Sequence, residues 1–216
     1  MKPAVPSDRE PFGAVPFVER EPNTIEDIGV FLRSWNNPAA TRRPAILRRS
    51  EVGNINRYGL SGVWAADDLD PMHPQWREGI EEAVWPVVNY ITATLELVTY
   101  DSCGGHPHCG PVEARPLHVG ILPATTAECQ PLGAMMSKAT SYWDAWTNEI
   151  ARITVSWSVL VCAASGSRCA VLDITAIPLD GVFSAEYFTA RPMIAAQIIN
   201  GLDSGRRLHG TEGVEV

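Results

Sequence analysis

The chain has 216 residues, 45% of them hydrophobic and 19% charged, with a formal net charge of −8. That is enough for one domain with a real core and an extension, and the acidic balance argues against wrapping long nucleic acid, which needs many cationic phosphate contacts. No apolar run reaches the roughly 20 residues of a membrane span. Residues 1–10 hold no signal-type apolar stretch, and the five cysteines form no even framework. These features describe a cytoplasmic protein with reduced thiols and no membrane partner.

Residues 1–22 are rich in proline and charge and read as an extended N-terminal arm, a surface that a protein partner could use. Asn23-Thr24-Ile25-Glu26 has the form of a helix start, with Asn23 as cap and Glu26 three residues on. Ile25, Ile28, Leu32 and Trp35 repeat at helical spacing, and Asn36-Asn37-Pro38 ends the run. Arg42, Arg43, Arg48 and Arg49 flank Ala45-Ile46-Leu47, which reads either as a phosphate or acidic-partner patch or, more simply, as an edge strand with solvated arginines. Gly59 to Trp64 allows a strand or a loop. Asp67, Asp68 and Asp70 are read as the acidic lead-in to a helix, the metal reading being the lesser one.

Ile80, Val84, Val87, Val88, Ile91 and Leu95 fall on one face of a helix over about residues 75–96, with a kink or break expected at Pro86. Leu97-Val98-Thr99-Tyr100 then reads as a short strand entering a glycine loop, Asp101-Ser102-Cys103-Gly104-Gly105-His106-Pro107-His108-Cys109-Gly110. Pro116 to Leu122 is a second strand, with Leu117, Val119 and Ile121 on one side and His118 and Gly120 on the other. Thr125-Thr126-Ala127-Glu128 has capping-box spacing and starts a helix carrying Leu132, Met135, Met136 and Ala139, continued toward Trp143 and Trp146. Alternation over Ile153–Val161 and the return from Cys169 to Ile177 predict an antiparallel hairpin around Ala164-Ser165-Gly166-Ser167. Ser184 caps a further helix, Pro192 starts another, and Gly201 reads as its stop.

The fold class expected is α+β: a single domain over residues 23–202 with a mixed or mostly antiparallel sheet and helices packed on it, the arm before it and a flexible tail at 203–216.

The chemistry is concentrated around the glycine loop. Cys103 is a candidate nucleophile, with His106, His108 or His118 able to hold it as thiolate and Asp101 orienting an imidazole. Gly104-Gly105 exposes backbone N–H groups that could cradle an anion or a cofactor carboxylate. Cys103, His106, His108, Cys109 and His118 also offer zinc-type ligands, but four ligands in so short a loop is tight for zinc, and no metal ligand is assigned.

The run Thr99-Tyr100-Asp101-Ser102-Cys103-Gly104-Gly105-His106 resembles the Thr-Ser-Ser-Cys-Ser-Gly-Arg run of the tRNA methyltransferase family of wybutosine synthesis, with His106 at the arginine position. Leu117-His118-Val119 with the helix of 125–140, and Leu172-Asp173-Ile174 to Pro178-Leu179 with Glu186-Tyr187, are similar to later elements of that family, over about residues 70–201. The resemblance implies an S-adenosylmethionine-dependent transferase, or a relative that kept the fold and changed its job. The leading reading is an enzyme transferring to a nucleotide or modified base, with catalytic groups at Asp101, Cys103, His106 and His118 and cofactor contacts at Ser102, Gly104 and Gly105. The alternatives are a non-catalytic binding or assembly protein of the same fold, its seven tryptophans and its arm serving a partner, and a zinc-binding structural protein.

Overall fold

The computed structural model describes residues 12, 14–19, 23–25, 27–35, 46–50, 53–56, 80–107, 113–146 and 148–211. Among them the elements run β1 (Asn23–Ile25), α1 (Ile28–Trp35), β2 (Ile46–Ser50), β3 (Gly53–Asn56), α2 (Trp85–Asn89) continuing into a π-helical turn (Tyr90–Thr94), β4 (Val98–His106), β5 (Arg115–Leu122), α3 (Thr126–Asp144), β6 (Ala151–Cys162), β7 (Arg168–Pro178), α4 (Ala185–Thr189) and α5 (Arg191–Thr211). Five strands make one curled, mixed sheet in the order β1-β6-β7-β5-β4, parallel only at β1–β6, while β2 and β3 pair as a separate hairpin. With helices and this sheet in one domain, the fold is α+β.

The β6–β7 hairpin forms as its alternation predicts, from Ala151↔Pro178 to Val161↔Arg168. Strict period-2 pairing divides the sheet into two faces. Trp157, Leu172 and Ile121 share one face with Val155, Ile174, Val119 and Leu117, and nearly all of these are fully buried. The opposite face carries Thr154, Ser156 and Ser158 of β6, Asp173 and Thr175 of β7, and His118 and Gly120 of β5. Burying about seven large apolar side chains on the first face stabilises the fold by roughly 1.5–3 kcal/mol each. Changing any of them to Ala would leave a cavity.

Segment 14–19 lies along β6. Trp157 N–H donates to the Pro16 carbonyl at 2.8 Å, Val18 N–H donates to the Trp157 carbonyl at 2.8 Å, and the Trp157 indole donates to the Phe12 carbonyl at 3.2 Å. Val15 is buried. The fully buried Trp157 is thus wrapped by the part of the arm that the structure describes.

Several elements differ from their sequence reading. Asn23–Ile25 is a strand and not the first turn of a helix, because the far end of β6 (Leu160–Cys162) offers an open edge that it pairs with in parallel. Helix α1 starts at Ile28. Pro86 stands at the start of α2 and not within a longer helix, where its missing N–H costs nothing because no intrahelical acceptor is due there. The backbone leaves the following π turn through Glu96, at φ 55°. Helix α5 runs through Gly201 to Thr211, so residues 203–211 are helix and not tail. Gly201 is a packing glycine: a Cβ there would lie 2.0 Å from Trp143 Nε1, and the Trp143 indole donates to the Gln197 carbonyl at 3.0 Å. Trp146 falls just past the end of α3.

The Ser184 cap forms as read, its Oγ accepting from Tyr187 N–H at 3.2 Å. The capping box at 125–128 does not close: Thr125 is the N-cap without a side-chain cap bond, and Glu128 accepts from Ala124 N–H at 2.8 Å, one residue before it. The arginines at 48 and 49 lie in strand β2, the edge-strand alternative for that run. Gly59–Trp64, Asp67, Asp68, Asp70, His108 and Cys109 lie outside the described residues. No helix among the described residues is long and apolar enough to cross a membrane.

Candidate functional site

The expected glycine loop is a correction in itself. Residues 98–106 form one strand, β4, running through Gly104 and Gly105 to His106, with its backbone paired to β5. Glycine is poor at initiating a strand, but a partner strand supplies hydrogen bonds that local preference does not see. The chain turns left-handed at Gly105, φ 75°, where a Cβ would meet Leu117 N at 2.9 Å. The tight conformation read from the glycines is therefore real, but it sits inside a strand.

Register brings the candidate groups together. Cys103 lies directly opposite His118, and Asp101 opposite Gly120, so Asp101, Cys103 and His118 share one face at the β4–β5 seam. His118 Nε2 and Asp101 Oδ2 are 3.1 Å apart, a hydrogen-bonded ion pair when the imidazole is charged. The side chains keep 18% and 31% of their solvent exposure, while Cys103 keeps 7% and His106 3%. The left-handed turn at Gly105 lies between Cys103 and His106 in β4, and His106 Nδ1 stands 3.3 Å from the Pro107 carbonyl oxygen.

The electrostatics follow from this packing. Burial alone depresses the His118 pKa, but the Asp101 charge and hydrogen bond, with the Cys103 thiol, push it up to about 10. Burial raises the Asp101 carboxyl, but the His118 charge and hydrogen bond, with Arg115 and the Ser102 N–H, hold it below its ordinary value. Burial raises the Cys103 thiol; hydrogen bonds from His106 and His118 outweigh this and bring it below the ordinary cysteine value, against an opposing push from Glu81. His106 is raised, chiefly by its bond to Cys103, against the cost of burial, with help from the Pro107 carbonyl and the Glu81 charge. A thiol flanked by two imidazoles, one of them locked to a carboxylate, is a thiolate-forming arrangement.

The second expectation, a cradle of free backbone N–H groups at Gly104-Gly105, does not form. Gly104 N–H donates to Glu81 Oε2 at 2.5 Å. On the same outer edge of β4, Arg191 Nη1 donates to the Gly105 carbonyl at 2.5 Å and more weakly to the Gly104 carbonyl at 3.4 Å. The two side chains satisfy an edge on which no further strand lies among the described residues, and Arg191 also lies 5.6 Å above the Phe188 ring. Ser102 faces away from the thiol, opposite Val119. The three residues read as cofactor contacts are thus split between two faces and an occupied edge.

Among the described residues no group of three or more His, Cys, Asp and Glu is arranged to hold a metal ion. The four described cysteines are buried, and burial pushes the Cys129 thiol up to about 11 and the Cys169 thiol to about 12. Cys129 and Cys169 are thereby the less reactive thiols, whereas at Cys162 burial is outweighed by hydrogen bonds with Ser165 and nearby backbone groups, which bring it below its ordinary value.

Sequence reasoning missed Glu81, Arg191, Tyr100 and Tyr187. Glu81 and Arg191 reach Gly104 across 23 and 87 residues of sequence, a separation no local pattern reports. The Tyr187 hydroxyl sits inside the β5–β7 ladder, accepting from Leu117 N–H at 2.9 Å and donating to the Ala176 carbonyl at 2.6 Å. In the sequence Tyr187 stood three residues after the Ser184 cap and in the Glu186-Tyr187 pair of the resemblance, neither of which places its hydroxyl between two strands. Comparison of the chain with protein-family models, with curated proteins and with solved structures returned no match.

Proposed function

We propose that the chain is an enzyme working through a cysteine nucleophile, transferring a group from an electrophilic carbon of a small molecule, the base or acyl part of a nucleotide included. The observation that carries this reading is the shared face of Asp101, His118 and Cys103, with His118 bonded to Asp101 at 3.1 Å. Nucleophile, imidazole and orienting carboxylate in that order is the arrangement that activates a thiol.

The two imidazoles divide the work. His118, held charged by Asp101, stabilises the thiolate electrostatically and keeps its proton at neutral pH. His106, three residues from the thiol on β4 and with its Nδ1 3.3 Å from the Pro107 carbonyl oxygen, transfers protons. The Cys103 thiolate attacks the carbon and a C–S bond forms; the bond to the leaving group breaks, and His106 protonates the departing atom. An acceptor hydroxyl, amine or water then gives its proton to His106 and attacks the same carbon, and the C–S bond breaks to restore the thiolate.

S-adenosylmethionine, implied by the motif resemblance, does not fit the residues first assigned to it, since Gly104 N–H is engaged by Glu81 and Ser102 faces the opposite side. No step runs through it. The non-catalytic reading, a binding or assembly protein, draws on the 7% exposure of Cys103.

Alkylation with iodoacetamide over a pH series, mapped to each cysteine by peptide mass, separates the two. The enzyme reading expects Cys103 to react with an apparent pKa below its ordinary 9.0, and the advantage to vanish in His118→Gln. A Cys103 that reacts no faster than Cys129 or Cys169, or that titrates above the ordinary value, would refute it.

A further inference from the structure

The face-sharing of Cys103 and His118 depends on a single irregularity in β4. Val98 pairs with Leu122 and Thr99 with Ile121; after a shift at Tyr100, Asp101 pairs with Gly120, Ser102 with Val119 and Cys103 with His118. Continued without the shift, the register of Val98 and Thr99 would carry Cys103 opposite Leu117 and Ser102 opposite His118. A slip of one residue moves every side chain to the other face. The thiol would then stand on the apolar face, away from both His118 and the solvent-facing groups. Residues 101–106 carry no large apolar side chain to fix the register by burial, and glycine-rich strands specify register weakly.

Something else must hold the bulge, and three contacts converge on it. Tyr100 and Asp101 together oppose Gly120, which is how a bulge places two neighbouring residues against one. The Tyr100 ring lies over Gly120, where a Cβ would come within 2.4 Å of it. The Tyr100 hydroxyl donates to Asp173 Oδ1 at 2.8 Å, and Ser158 Oγ donates to Asp173 Oδ2 at 2.6 Å. Asp173 is 3% exposed and is itself the register partner of Gly120 on the other side. The ring therefore spans β5 from β4 to β7, and its anchor is a buried carboxylate fixed by β6.

We propose that Tyr100, seated on Gly120 and tethered to Asp173 and Ser158, is a register lock that puts Cys103 on the face of His118. Tyr100, Gly120 and Asp173 are positioning residues: they act on the nucleophile through the strand and not through the substrate. The proposal rests on the thiol-nucleophile reading for its purpose, but the lock itself is a statement about strand pairing.

The test uses Tyr100→Phe, which keeps the ring and removes the tether, and Gly120→Ala, whose methyl evicts the ring. Two quantities are read in the full-length protein: the cross-strand backbone NMR contacts of Cys103 with His118, and the thiolate pKa of Cys103 from its ultraviolet absorbance. The lock predicts that the Cys103–His118 contacts weaken, with new contacts between Cys103 and Leu117, and that the thiol pKa rises by about one unit, about tenfold less thiolate at neutral pH. Asp173→Ala, which removes the acceptor, should give the same pair of changes, and combining it with Tyr100→Phe should add little, since both break one tether. A merely structural role would lower the melting temperature and leave both readouts of the folded protein unchanged, and that result in Tyr100→Phe would overturn the proposal even if Gly120→Ala failed to fold. A wild-type thiol at its ordinary pKa, with the contacts shifting as predicted in the variants, would sink the nucleophile reading and leave the lock standing.

Discussion

Removing the carboxylate at Asp101 while keeping its shape, Asp101→Asn, isolates the ion pair at the centre of the site. The rise of His118 from 6.5 to about 10 corresponds to at most about 5 kcal/mol, at about 1.4 kcal/mol per pKa unit. Both side chains keep water contact, 18% and 31%. A net value of about 1.5–3 kcal/mol, typical of hydrogen bonds to charged groups, is therefore the better expectation. That difference lowers the His118 pKa by about one to two units in the variant. It has a fixed sign in pH. A group with a raised folded pKa contributes stability that is fully present below its unfolded value and lost as pH climbs to the folded one. The His118 contribution is thus complete below 6.5 and gone above about 10. Asp101, held low, contributes above its ordinary 3.8 and loses that contribution as the solution is acidified further. The wild type should exceed the variant most between those two ordinary values, and the gap should close through the alkaline range. Urea unfolding at a series of pH values measures the gap, and NMR titration of the His118 ring measures its pKa. A gap that stays constant through the alkaline window, or a wild-type ring that titrates near 6.5, would refute the reasoning.

Gly105→Val forces a β-branched residue to φ 75° with its Cβ 2.9 Å from Leu117 N, costing about 2–4 kcal/mol from the left-handed conformation and the contact together; a melt within a degree of wild type would contradict this. Cys103→Ser, by contrast, should melt close to wild type and lose covalent labelling at that position, and a drop of several degrees would make the thiol structural. Tyr187→Phe strips the hydroxyl that joins Leu117 N–H to the Ala176 carbonyl and should destabilise by about 2–4 kcal/mol in urea, because two buried backbone groups lose their partner. Gly201→Ala should be among the most damaging single methyl additions, with its Cβ 2.0 Å from Trp143 Nε1, whereas Gly166→Ala meets nothing within 4 Å and should cost only the roughly 1–2 kcal/mol of a left-handed residue; equal losses at the two sites would contradict the packing role of Gly201.

The amino-acid sequence by itself determined what depends on neighbours in the chain. The alternation of residues 153–161 and their return specify a hairpin because side chains two apart share a face whatever the partner strand is. The Ser184 cap is legible for the same reason: the N–H it satisfies lies three residues on. Gly105 announces a left-handed position because only the missing Cβ makes one inexpensive. The residue types at 101, 103, 106 and 118 already named a thiol with imidazoles and a carboxylate near it.

Only the tertiary structure decided how those groups meet. Asn23–Ile25 became a strand because β6 runs on to Leu160–Cys162 and leaves an edge there, and Gly104-Gly105 became strand because β5 pairs with it. Gly201 stays helical because an indole needs the space beside it. The face on which Cys103 stands depends on a one-residue shift at Tyr100, anchored by Asp173, 73 residues further along the chain. Strand pairing is a long-range interaction whose register is fixed by the sum of contacts across the sheet, and a parity change of one residue is invisible to any local pattern while reversing which side chains can touch.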